Sequence, residues 1–289
     1  MKIGFIGLGI MGESMSENIL KKHDDTLYVY DLVQSQVDLL TSKGAIATKN
    51  ANELAQQSDI IISMVPKSEH SLALYQSILP ELKKGKICID MSTIDPHVSI
   101  QIAQLVEATG ALFADAPVVK SKPAAISGDL GIYVGGALST YEQIQPILTY
   151  MGKNIIYMGE HGKGLVMKIC HNTLVAQIQT GVNETLTLAE SYGIDVDTFV
   201  QAVSYGGGQN FYLDGKAKAI KNQDFTTAFS VANMQKDLQI CQNMAKENHF
   251  VMKGQAISQE VYQDAVTAGY AQEDFSATIK VIKARKNHA

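Results

Sequence analysis

Ile3-Gly4-Phe5-Ile6-Gly7-Leu8-Gly9-Ile10-Met11-Gly12 is the stretch that decides the fold. Ile3 to Ile6 is a short apolar run of strand type. Gly7, Gly9 and Gly12 follow it as G-x-G-x-x-G, and helical spacing begins at once through Met15, Ile19 and Leu20. Strand, glycine turn and helix in that order are the context in which this motif holds a dinucleotide. Gly7 permits the tight turn, Gly9 lets a pyrophosphate approach the backbone, and Gly12 lets helix and strand pack closely. The helix N-terminus then offers N–H groups and the positive end of its dipole to the phosphates. Glycine turns are common, so the motif gains its weight from a second strand, Leu27 to Tyr30, that ends in Asp31. A carboxylate there can accept from both ribose hydroxyls of an adenosine and repels the 2′-phosphate of NADP. No Arg follows within the next few positions to compensate, so the expected cofactor is NAD(H).

Outward from that stretch, strand-like and helix-like segments alternate. Further strands are expected at 45–48, 59–64, 87–90, 112–115, 131–134 and 154–157. Such alternation implies a mostly parallel sheet covered by helices on both faces, with ligands at the carboxyl ends of its strands. Met64-Val65-Pro66 and Asp90-Met91-Ser92-Thr93 stand at such ends. From Lys163 strand signals nearly vanish. A long helical stretch runs from about Leu165 to Ser191, and helical patterns return at 196–203, 232–247 and 256–268. The expected class is α/β: a Rossmann-type doubly wound domain over 1–162, then an all-helical domain over 163–289. Gly206-Gly207-Gly208 is read as a connector within the second, with a hinge for a loop that closes over substrate as the alternative.

Composition narrows the function. The 289 residues are 46% hydrophobic and 18% charged, which describes an ordinary globular protein long enough for two cores. A net charge of −5 argues against nucleic acid or an anionic membrane as the main partner. Three cysteines without C-x-x-C spacing and seven scattered histidines suggest no disulfide framework and no metal site. No membrane-length apolar run or secretory signal is expected, which places the protein in the cytoplasm and makes the Asn183-Glu184-Thr185 sequon incidental.

Two segments carry chemistry. In Gly162-Lys163-Gly164-Leu165-Val166-Met167-Lys168-Ile169-Cys170-His171-Asn172, Lys168 and Asn172 are four apart and share a helix face, with His171 beside them and Val175 and Gln179 continuing the stripe. A Lys in so apolar a stretch is costly to bury, and desolvation makes an amine a useful proton donor or acceptor near neutral pH. In Asp115-Ala116-Pro117-Val118-Val119-Lys120-Ser121-Lys122-Pro123, two lysines and a serine follow a strand end.

Together these motifs resemble the β-hydroxyacid dehydrogenase family, along essentially the whole chain. The family's G-x-G-x-x-x-K-x-x-x-N signature is matched by Gly162, Gly164, Lys168 and Asn172. The resemblance implies Lys168 as general acid/base and Asn172 as a substrate hydrogen-bonder. It puts Thr93, and Lys236 of Lys236-Asp237-Leu238, near the nicotinamide, with Gly7, Gly9, Ile10, Met11, Gly12, Asp31, Val65 and Pro66 around the rest of the cofactor. The substrate loop departs from the family: Val119-Lys120-Ser121 stands where Ser-Gly-Gly is usual. Within the family that loop is most similar to that of 3-sulfolactaldehyde reductases, where a basic side chain helps bind a sulfonate. It implies substrate contacts from Lys120, Ser121, His171, Asn172 and Val175, and reduction of a small anionic semialdehyde. 3-Sulfolactaldehyde leads, with tartronate semialdehyde or the 3-hydroxyisobutyrate partner as runner-up. A dinucleotide-binding sensor without turnover is the rival from another class. A homodimer or homotetramer is expected by resemblance.

Overall fold

The computed structural model describes residues 1–285 and divides the chain into two compact units, Met1–Lys168 and a second from Ile169 onward. The first alternates β1 (Ile3–Ile6), α1 (Gly12–Lys22), β2 (Leu27–Tyr30), α2 (Gln34–Thr41), β3 (Ile46–Ala47), α3 (Ala51–Gln57), β4 (Ile60–Ser63), α4 (Ser68–Ile78), β5 (Ile87–Asp90), α5 (Pro96–Glu107) and β6 (Leu112–Asp115). It closes with β7 (Val118–Val119), α6 (Lys122–Ser127), β8 (Leu130–Gly136), α7 (Leu138–Leu148) and β9 (Gly152–Gly159). Strands β3-β2-β1-β4-β5-β6 are all parallel, and β8 then joins antiparallel to β6.

Burial on both faces of this sheet follows from its apolar runs. In β4, Ile60 and Ile62 enter one core cluster with Met15 and Ile19 of α1, while Ile61 enters another with Tyr75 and Ile78 of α4. Side chains alternate across a strand, so a run without polar interruptions needs helices on both sides, as the doubly wound reading expects. The short β7 was not expected. It continues β6 along the same side of β8 in unbroken register, Asp115 opposite Gly135 and Val118 opposite Ile132. Pro117 lies in the gap, where it has no N–H to donate to the ladder.

The second unit is helical, with α9 (Val196–Val203), α10 (Phe211–Asn222), α11 (Val231–Glu247), α12 (Lys253–Thr267) and α13 (Thr278–Arg285), preceded by α8 (Lys163–Ser191), which begins in the first unit. The division therefore falls inside α8 rather than at Gly162, because the first turn of that helix packs with the sheet: Leu165 shares a core cluster with Phe113 and Ile102. Helices α10 and α13 add to those expected. Asn183 is fully buried, its amide held by Thr278 Oγ1 and the Tyr212 hydroxyl, so the sequon offers no accessible acceptor. The Gly206–Gly208 segment is a turn joining α9 to α10. Among the described residues, no helix is long and apolar enough to cross a membrane.

Candidate active site

The strand order reverses at β1, which has β2 on one side and β4 on the other. Ligands of open α/β sheets bind outside the strand ends at such a point. The glycine loop leaves β1 there. Gly7 adopts φ +93°, and a Cβ on it would lie 2.3 Å from the Met64 carbonyl oxygen. A Cβ on Gly12 would lie 1.9 Å from the Gly7 carbonyl oxygen, so α1 can start against β1 only with glycine here. Gly9 is different. No atom lies within 4 Å of the position its Cβ would take, so its backbone faces open space at the start of α1. That geometry fits a pyrophosphate. Ile10 is exposed, and Met11 caps α1 while packing partly against the core.

Asp31 is tied to the loop it was expected to complement. One carboxylate oxygen accepts from Leu8 N at 2.6 Å and the other from Val33 N at 2.7 Å. Each oxygen retains a second acceptor direction, which leaves capacity for a ribose. At the end of β4, Val65 is half-buried and Pro66 exposed, and Val65 N donates to Ser92 Oγ at 2.8 Å. Thr93 follows, half-buried.

The signature glycines have a structural reason. Asp115, fully buried at the end of β6, accepts from Gly162 N at 2.7 Å and Leu165 N at 3.0 Å, and so caps α8. A Cβ on Gly164 would lie 2.5 Å from the Tyr133 carbonyl oxygen and 2.8 Å from Asp115 Oδ2. Burial pushes the Asp115 carboxyl above its ordinary range, opposed by those N–H donors. Lys168 follows one and a half turns later and is buried, 7% exposed. Asn172 lies one turn further on the same helix, also buried, and its Nδ2 donates to Asp237 Oδ2 at 2.6 Å. A carboxylate only accepts, so this bond fixes which way the Asn172 amide points. The other oxygen of Asp237 is 3.3 Å from Lys236 Nζ. Sequence reading had singled out Lys236 in this segment. Asp237 was missed, since nothing local signals that it meets a residue 65 positions earlier.

His171 and Val175 are half-buried, Val175 against the core of Leu238 and Tyr262. The stripe does not extend to Gln179, whose amide is consumed in the helical core by Tyr262, Thr278 and the Phe275 carbonyl. In the other segment, Ser121 is the N-cap of α6. Lys120 holds a left-handed backbone, φ +76°, and its Nζ lies 2.6 Å from Asp129 Oδ2. That ammonium holds the Asp129 carboxyl below its ordinary range. The lysine is thus exposed at the strand end but paired.

Residues 2–159 match the NAD binding domain of 6-phosphogluconate dehydrogenase, and residues 162–282 match the NAD-binding domain of NADP-dependent 3-hydroxyisobutyrate dehydrogenase. The chain is 32% identical to 2-(hydroxymethyl)glutarate dehydrogenase of Eubacterium barkeri, over 97% of this chain and 94% of that one. It is also 32% identical to an NAD-dependent L-serine dehydrogenase of Pseudomonas aeruginosa, over 97% of both chains. The solved Mycobacterium tuberculosis 3-hydroxyisobutyrate dehydrogenase with L-serine superposes with a TM-score of 0.89 at 27% identity, over 98% of this chain and 99% of that one. The glycine loop at the switch point, the helix bearing Lys168 and Asn172, and these likenesses along the whole chain agree: it belongs to the 3-hydroxyisobutyrate dehydrogenase-like β-hydroxyacid dehydrogenases, NAD-dependent oxidoreductases.

Proposed function

We propose that this chain reduces a small anionic semialdehyde to its hydroxy acid with Lys168 as general acid, 3-sulfolactaldehyde being the leading substrate and 2,3-dihydroxypropane-1-sulfonate its product. The observation that carries the reaction is Lys168 itself: a buried ammonium one turn from a buried, oriented Asn172, on a helix whose start is pinned by Asp115. When bound, NADH supplies the hydride. As the new C–H bond forms at the aldehyde carbon, Lys168 gives a proton to the carbonyl oxygen, and the product leaves as a neutral hydroxyl. In the reverse direction the neutral amine takes that proton back. Asn172 hydrogen-bonds the substrate, and Asp31 sets the preference for NADH by refusing a 2′-phosphate.

The sulfonate head group is supported by Lys120, which occupies a glycine position of the family's loop and keeps the glycine-like backbone. A sulfonate presents three acceptor oxygens in a roughly tetrahedral outline, which suits a point-charge donor. A carboxylate head group, as in tartronate or methylmalonate semialdehyde, is supported by the Lys120–Asp129 pair, because an ammonium already neutralised has less to offer an anion. NADH oxidation against sulfonated and carboxylated semialdehydes at matched concentrations separates the two. We expect the highest kcat/KM with 3-sulfolactaldehyde. A carboxylated substrate in first place overturns the sulfonate reading, and no turnover with any of them points to a sensor.

A further inference from the structure

Asp90, the last residue of β5, is 1% exposed and receives more hydrogen bonds than a simple strand end requires. Its Oδ1 accepts from Ser63 Oγ at 3.0 Å and Ser92 N at 3.0 Å, and its Oδ2 accepts from Ser71 Oγ of α4. Ser63 Oγ is in turn 2.8 Å from the Tyr75 hydroxyl. Since Ser63 gives its hydrogen to Asp90, Tyr75 is the donor in that pair. On the other side, Ser92 Oγ accepts from Val65 N at 2.8 Å, while the backbone N–H of the same Ser92 is held by Asp90 Oδ1. A strand end, a turn and a helix therefore converge on a single buried carboxylate.

The outer end of this network is one peptide group. Val65 N–H and Met64 C=O belong to the same peptide, and in a trans peptide they point in opposite directions. The N–H is held by Ser92. The carbonyl oxygen is the atom that a Cβ on Gly7 would meet at 2.3 Å. The peptide that walls the glycine turn is thus fixed from behind by Ser92, and Ser92 by Asp90. Asp90 ends β5, the neighbour of β4, so its hydrogen bonds act directly on the turn that leaves β4 beside the glycine loop.

We propose that Asp90 is a positioning residue for cofactor binding, acting through Ser92 to hold the Met64–Val65 peptide against Gly7. It rests on the reading of the glycine loop as the NADH seat. The test titrates NADH by its fluorescence and measures thermal unfolding for wild type, Ser92→Ala, Asp90→Asn and Tyr75→Phe. Ser92→Ala leaves the Val65 N–H without its partner and should raise the NADH Kd about 5- to 50-fold, with kcat at saturating NADH within about two-fold. Asp90→Asn replaces an acceptor with a donor facing serine hydroxyls and should raise Kd at least as much. Should that variant fail to fold, Ser92→Ala carries the test. Tyr75→Phe removes the far end of the network, so it should lower Tm while leaving Kd within about two-fold. An unchanged Kd in Ser92→Ala, or an equal rise in Tyr75→Phe, overturns the proposal. Wild type that does not bind NADH overturns the glycine-loop reading itself, and the proposal falls with it.

Discussion

The glycine loop at 7–12 and the loop at 115–123 both follow the carboxyl ends of strands in one sheet, yet they treat a left-handed backbone differently. At Gly7 two constraints coincide, a φ of +93° and a carbonyl oxygen where a Cβ would go. At Lys120 there is only the backbone constraint, φ +76°, and a side chain is present. The left-handed region costs a non-glycine residue about 1–2 kcal/mol, a cost a fold can carry. The ion pair with Asp129 is solvent-exposed and offsets little of that cost. Backbone strain alone therefore leaves room for variation, whereas strain plus close contact does not. The loop read as the cofactor's seat is of the second kind, and the loop proposed to meet the substrate head group is of the first.

The largest effect should separate chemistry from both loops. Lys168→Ala should lower kcat by about 10²–10⁴-fold with little change in NADH Kd. Steady-state and binding measurements on one preparation check this, and near-normal turnover would end the assignment. Gly7→Ala comes next: it meets both constraints, so NADH affinity should fall by about 100-fold or more, with stability down about 3 kcal/mol in urea unfolding. Native affinity in that variant would break the contrast drawn above. Asp115→Ala removes the cap of α8 and should cost about 1–3 kcal/mol, visible in the same unfolding curves. Asp31→Ser should narrow the ratio of NADH to NADPH kcat/KM by about ten-fold. A wild type already indifferent between the two would refute the role of Asp31. The smallest effect is expected from Lys120→Gly, where relieved strain outweighs the lost ion pair by about 1 kcal/mol. A large destabilisation would mean that Lys120 holds the loop together.

Most of the first unit was legible because its signals are local and periodic. The apolar strands, the glycine turn and Asp31 lie within the first 31 residues, and the Lys168–Asn172 spacing is one helical turn. What escaped was non-local or interrupted. Pro117 splits a continuous ladder and hides β7. Helix α10 carries Gly215 and few core residues, although Asn210, whose side chain accepts from Leu213 N at 2.9 Å, was a readable N-cap. Gln179 kept the helical spacing of the stripe, but spacing cannot tell a site face from a core face. The hydrogen-bond partners Asp237 for Asn172 and Asp90 for Ser92 are acids whose meaning depends on what the fold brings beside them.

Helix α8 has 29 residues and is therefore about 43 Å long. Its clamp, Asp115 with Gly162 and Gly164, acts at one extremity, and Lys168 lies only about 8 Å from that end. Such a rod behaves as a lever with its fulcrum beside the ammonium. A tilt of about 5° about the clamp carries the distant tip by almost 4 Å but shifts Lys168 by well under 1 Å. Lys168 therefore belongs to the clamped end of the helix, where any tilt about Asp115 displaces a side chain least.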